Sequence, residues 1–223
     1  MKVLLEKMII HHPELPRDPR TLFSISKNAI SPNLHDVFPG KYYHFGIQNG
    51  LCQLIPILKQ ACLIGENNLF KLKVGIDGLP LFKSTIAGFW PITAAIDKIS
   101  NSVFLVGLYY GENKPKSCQE FTFYLVNEMK LLSESGFIFE EITYNVEFLF
   151  CNCDMPAKSF LKCVKGHTAY FGCDRCKIKG TNFEHRRIYE GESSLRTNGY
   201  LEIDVKKNII TKCHLLNPLP ILI

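Results

Sequence analysis

Between residues 70 and 76 the chain alternates strictly. Phe70, Leu72, Val74 and Ile76 are apolar, and Lys71, Lys73 and Gly75 separate them. Period two marks a strand with one buried face, because successive side chains of an extended backbone point to opposite sides. Asp77 continues the polar set at the strand's end, and Gly78 and Pro80 stop it. Two further apolar runs, 87–96 and 103–110, flank the turn-forming "DKISNS" and predict a hairpin. The second run is apolar on both faces, as a strand covered from both sides would be.

The period then changes. Phe121, Leu125, Met129 and Leu132 recur at helical spacing, Ser117 and Glu120 form an S-x-x-E capping box, and Gly136 supplies the stop. "VEFLFCNCD", residues 146–154, is a fourth strand, again apolar on both faces. Pro156 can start a second helix with Ala157, Phe160, Leu161 and Val164 as its apolar stripe. Lys158, Lys162 and Lys165 tend to the other side, and Gly166 ends it. The order strand, strand, strand, helix, strand, helix opens an RNase H-like α/β fold with a mixed sheet. In that arrangement the first and fourth strands are neighbours, and their terminal residues here are Asp77 and Asp154.

The flanks are less patterned. Residues 11–41 hold Pro13, Pro16, Pro19, Pro32 and Pro39 with few apolar runs, which predicts a loop-like arm. Residues 42–63 predict a helix interrupted or kinked near Pro56. Beyond Gly180 the pattern weakens. The chain therefore divides into an N-terminal arm and helical segment (1–66), a partial α/β core (67–166) and a Cys-rich segment (167–223).

Composition narrows the class without naming it. With 46% hydrophobic and 21% charged residues in 223, the chain can bury an ordinary core. A net charge of +5 permits a polyanionic partner but does not demand one. No apolar run is long enough to predict a membrane span, and Glu6 and Lys7 break the hydrophobic start that a signal peptide would need. Nine cysteines, an odd number, fit reduced thiols better than a disulfide framework.

Two carboxylates at neighbouring strand ends are a natural site for Mg²⁺, which prefers oxygen ligands. Paired ions at such a site activate the attacking oxygen and stabilise the leaving oxygen of a phosphodiester. The plainer alternative is that Asp77 merely follows a strand and Asp154 caps a helix. Cys173-x-x-Cys176, with Gly172 before it, can chelate Zn²⁺ through a tight turn. Cys163, His167, His185, Cys213 and His214 are candidate partners, and spacing does not choose among them. A redox role for the pair lacks the thioredoxin-like strand and helix around it. Cys151 and Cys153 share one face of a buried-looking strand and read as core filler, as do Cys52, Cys62 and Cys118. Basic residues cluster from Lys158 to Arg187, as a phosphate-facing surface or a solvated face would require.

"GIDGLPLFKST", "GFWPI", "FLVGLYYGENKPKS", "FLFCNCDMPAKSFLKCVKGHTAYFGCDRC" and "SSLRTNGY" together resemble a transposase family common in insect and cnidarian genomes. That family is similar in turn to the CACTA (En/Spm-type) DNA transposases. "LPRDPRTLF" and "PGKYYHFGI" extend the resemblance over nearly the whole chain. It implies an RNase H-like catalytic core of the DDE class with a two-Mg²⁺ site. Such an enzyme hydrolyses a phosphodiester at a transposon end and joins the freed 3′-hydroxyl to target DNA. Asp77 matches the first acid and Asp154 the second. Cys173 and Cys176 match a C-x-x-C that opens a zinc-binding insertion before the third acid. In related superfamilies two histidines near the final acid complete that zinc site, and His167 or His185 is the candidate to stand in for them here.

The departure from the family pattern concerns the third acid, a glutamate expected far beyond the insertion. Glu190, Glu192, Glu202 and Asp204 fall within the segment resembling the insertion and are not assigned to it. The resemblance thus implies a C-terminally truncated catalytic domain, inactive alone. Its implied partners are transposon-end and target DNA in the nucleus, and it allows homo-oligomers of the intact protein. The competing reading is a non-catalytic, zinc-containing module that binds DNA or protein. A thiol redox protein is the third.

Overall fold

The computed structural model describes residues 33–80, 87–162, 165–166, 168–173, 175–184 and 186–195. In chain order these form β1 (Leu34–Val37), β2 (Gly40–His44), α1 (Ile47–Gln60), β3 (Leu69–Ile76), β4 (Leu79–Pro80), β5 (Gly88–Ile96) and β6 (Phe104–Gly111). There follow α2 (Cys118–Ser135), β7 (Phe137–Phe139), β8 (Ile142–Cys153), α3 (Met155–Leu161), β9 (Thr181–Phe183) and β10 (Arg186–Ile188). One mixed, mainly antiparallel sheet runs β1-β2-β6-β5-β3-β8-β7, with β4 joined to β5. Its one parallel pairing among the registers described is β3 with β8. β9 and β10 make a separate hairpin. The chain is therefore α/β with a mixed sheet.

The alternation read at residues 70–76 is realised in β3. Phe70, Leu72, Val74 and Ile76 are all buried, and Lys71 is exposed. Antiparallel register carries that face across the sheet, with Leu72, Val74 and Ile76 opposite Ile96, Ala94 and Ile92 of β5. The β5–β6 hairpin turns on "DKISNS". The buried Ser102 hydroxyl accepts the Ile96 amide at 3.0 Å and donates to the Ile99 carbonyl at 2.7 Å.

The capping box also forms. Ser117 Oγ accepts the Glu120 amide at 3.2 Å, and Phe121, Leu125, Met129 and Leu132 line the buried stripe of α2. Each such buried side chain contributes roughly 1.5–3 kcal/mol. Gly136 ends the helix at φ +62°, and a methyl group on it would sit 2.2 Å from the Tyr144 carbonyl oxygen, so only glycine fits. The three helices among the described residues all lie on one face of the sheet. Gly50 of α1 lies against the ring of Phe104, Phe121 of α2 meets Tyr42, Trp90 and Tyr109 edge-on, and Phe160 of α3 meets Trp90.

Several expectations need correction. Of the arm expected over 11–41, residues 11–32 lie outside the described residues, whereas 34–37 and 40–41 are strand, because Tyr42 buries its ring completely and pairs with Tyr109. β1, β2 and α1 lie within the N-terminal segment, and β1 and β2 join the main sheet through β6. The helix starts at Ile47 and not at 42, and it runs through Pro56 without a break. β8 begins at Ile142, because the unforeseen β7 pairs with its first turn of residues. Finally, β6 and β8 are not covered on both sides by described elements. On the face away from the helices Tyr110 is 48% and Phe150 38% exposed. That face carries ion pairs Lys71–Glu147 and Lys73–Asp97.

Candidate active site

β3 and β8 run parallel, and the last pair in their register is Ile76 with Cys153. Adjacent strands lie about 4.8 Å apart, so the next residues, Asp77 and Asp154, leave the sheet side by side. Both are exposed. The structure thus brings together the two acids that the sequence placed at neighbouring strand ends.

Each carboxylate is steered by local backbone. Asp77 Oδ1 accepts the Gly78 amide at 2.7 Å. Asp154 Oδ1 accepts the Ala157 amide at 2.7 Å and so N-caps α3, whose first turn contains Pro156. The capping alternative for Asp154 is therefore real. It occupies one oxygen, and among the described residues the other oxygen of each carboxylate has no hydrogen-bond partner. Two oxygens at the mouth of one sheet end fit a hard divalent cation. Among the described residues no third His, Cys, Asp or Glu joins them to make a group of three.

The strand that delivers Asp154 is lined by protonated thiols. Burial pushes the Cys151 thiol up to about 12, with Cys153 reinforcing the effect. Burial also raises Cys153, while the positive charges of Lys158 and, more weakly, Lys162 oppose it. Neither is a nucleophile at neutral pH, in keeping with their reading as core filler. Those two lysines place positive charge at the same end of β8. Cys118 is buried and Cys52 partly buried, but Cys62 departs from the filler reading. It is exposed, in a left-handed conformation (φ 54°) just past α1.

Cys173 and Cys176 are brought together. Their sulfurs lie 3.3 Å apart, and the Cys176 amide donates to Cys173 Sγ at 3.4 Å. Two thiolates on one tetrahedral zinc would stand about 3.8 Å apart, given Zn–S bonds near 2.3 Å, so a small opening of the turn admits the ion. His167, the candidate third ligand, lies outside the described residues, as do Cys163, His185, Cys213 and His214. None of the seven described cysteines is in a disulfide. Past the thiol turn, Arg187 stacks its guanidinium 3.6 Å from the centre of the Tyr170 ring and donates from Nε to the Thr168 carbonyl.

Sequence reasoning passed over Trp90, the chain's only tryptophan. It sits on β5 opposite Tyr109 and touches segments beside both acids. The available signal was "GFWPI", which sets the tryptophan near the start of a strand. No family model matches the chain, and no curated protein matches its sequence.

Proposed function

We propose that the chain carries the catalytic core of a DDE-type DNA transposase on an RNase H-like sheet, with Asp77 and Asp154 as two of its three acids. The observation that carries this reading is the parallel pairing of Ile76 with Cys153, which sets the two acids at neighbouring strand ends. An antiparallel β3–β5–β6 meander, a helix and a strand returning beside β3 support the fold class. The acids, with one oxygen each left over from local bonds, would hold Mg²⁺. Bound as a pair, such ions activate an attacking oxygen and neutralise a leaving one at a phosphodiester.

The chain's own contribution is placement. β3 and β8 set the separation of the carboxylates, the cap on α3 fixes the Asp154 side chain, and Lys158 and Lys162 bring positive charge for the phosphates of transposon-end and target DNA. Such work places the protein in the nucleus. Cys173 and Cys176 would contribute two thiolates to a structural Zn²⁺, with His167 a candidate third ligand. Among the described residues no third acid joins the pair, and a two-metal site short of a ligand is a poor nuclease.

A non-catalytic zinc-containing module is favoured by one observation, the cap that Asp154 provides. A module of that kind would have its acids apart or sealed, whereas these are adjacent and exposed, and the catalytic reading stands ahead of it. Mn²⁺ binding followed by electron paramagnetic resonance tests the choice. Asp77→Asn and Asp154→Asn should each weaken binding, and binding indifferent to both would overturn the reading.

A further inference from the structure

The β3–β8 ladder ends at Ile76 and Cys153, one residue short of each acid. Something beyond the ladder must hold Asp77 and Asp154 in a fixed relation. The strand carrying Asp77 is interrupted and not finished there. Ile76 pairs with Ile92, and Leu79 and Pro80 then pair with Phe89 and Gly88 in the same register. Only Asp77 and Gly78 fall in the gap, and the continued register sets Gly78 opposite Trp90.

At that gap the Trp90 indole replaces the missing ladder. A methyl group built on Gly78 would lie 3.1 Å from Trp90 Cε2 and 3.2 Å from Cζ2, so the ring rests on the glycine backbone. The same ring packs edge-on against Phe160 of α3, with centroids 5.5 Å apart, and against Phe121 of α2 at 6.2 Å. α3 is the helix that Asp154 caps. One side chain therefore touches the residue after Asp77 and the helix fixed to Asp154, while α2 braces it from behind.

We propose that Trp90 is a positioning residue for the acid pair, wedged between the Asp77–Gly78 turn and α3 so that the two carboxylates present their oxygens to one divalent cation. Gly78 is the other half of the device, because even a methyl group there would press on the indole and shift it by a few tenths of an ångström. The proposal rests on the acid pair being a metal site.

Mn²⁺ affinity of the full chain, read by electron paramagnetic resonance, tests it without needing catalysis or tryptophan fluorescence. Trp90→Ala should weaken binding about tenfold, the low end for residues that orient metal ligands. Trp90→Phe should keep most of the affinity, with far-ultraviolet circular dichroism unchanged in both. Wild-type affinity in a folded Trp90→Ala protein would overturn the proposal and leave the acid pair intact as a site. Wild-type binding no tighter than that of Asp77→Asn would overturn the site itself and the proposal with it. Should Trp90→Ala fail to fold, Gly78→Ala probes the same contact from the other side. Weakened Mn²⁺ binding there supports the proposal, and unchanged affinity overturns it.

Discussion

Glu128 of α2 accepts the amide of Ile47, the first residue of α1, at 2.8 Å. The same carboxylate accepts the Gln48 amide at 3.0 Å and pairs with His44 Nε2 at 3.0 Å. α1 begins after Gly46, which has no side chain to cap it, so a residue from a different helix does the capping. His44 is held in turn through Nδ1 by the Tyr42 hydroxyl at 2.9 Å. β2, α1 and α2 thus meet on one carboxylate.

Burial alone would raise the Glu128 carboxyl, yet hydrogen bonds from His44, Ile47 and Gln48 outweigh it and hold the group below its ordinary range. A carboxyl depressed on folding stabilises the fold above its unfolded value, and that contribution is lost as pH falls through the folded value. Acid unfolding should therefore be shallower in Glu128→Gln than in the wild type. Glu128→Ala should cost about 1–3 kcal/mol at neutral pH, because it strands two helix amides. Urea titrations across the acid range check both, and parallel slopes for wild type and Glu128→Gln would refute the assignment.

That network shows where sequence reading stops. The 70–76 alternation, the Ser117–Glu120 box and the neighbouring ends at 77 and 154 were legible because each rests on local periodicity plus a topology rule. Glu128 and Ile47 are 81 positions apart, and no local pattern joins them. β1 and β2 were hidden by Pro32 and Pro39 and by the scarcity of apolar residues around Val37 and Tyr42. The start of α1 was set too early because Tyr42 and Tyr43 continue the apolar run but belong to β2, while Gly50, inside the helix, lacks the side chain that would collide with Phe104. The apolar residues of β6 and β8 correctly signalled strands. Their two-sidedness overstated the cover, since all the described helices occupy one face. At the candidate site the sequence found the acids but not Trp90, whose contacts with Gly78 and Phe160 exist only once the sheet has formed.

The two acids should separate in their effects on stability. Asp154 caps α3, so Asp154→Ala should destabilise by about 1 kcal/mol, whereas Asp154→Asn, a good cap without the charge, should not. Asp77→Ala should leave thermal stability nearly unchanged, because its side chain bonds only the adjacent Gly78 amide among the described residues. Thermal unfolding with and without Mn²⁺ distinguishes the roles. The asparagine variants should retain the metal-free midpoint and lose the metal-induced rise.

Strand cleavage by the isolated polypeptide should be weak or absent in Mg²⁺. Asp77 and Asp154 supply two carboxylates, among the described residues no third ligand joins them, and a two-metal site one ligand short loses both geometry and charge neutralisation. A nicking assay on supercoiled DNA measures this directly. Robust Mg²⁺-dependent cleavage that vanishes in Asp77→Ala would refute the expectation of inactivity while supporting the acid.

The cysteines should sort into three chemical classes. Purified protein should hold zinc that is lost on Cys173→Ser or Cys176→Ser and kept on Cys153→Ala, as elemental analysis would show. Under native conditions an alkylating reagent should modify Cys62 first among the described cysteines, because that residue is exposed. Cys151 should be much slower than Cys62. It is buried, and a thiol raised to about 12 is almost entirely protonated at neutral pH, which removes the nucleophilic thiolate. Denaturant should erase the difference between Cys62 and Cys151, and chelator should expose Cys173 and Cys176 without unfolding the sheet. Peptide mapping by mass spectrometry after timed alkylation reads all of these together. Early modification of Cys151 in the native protein would mean that the end of β8 opens far more readily than its packing allows.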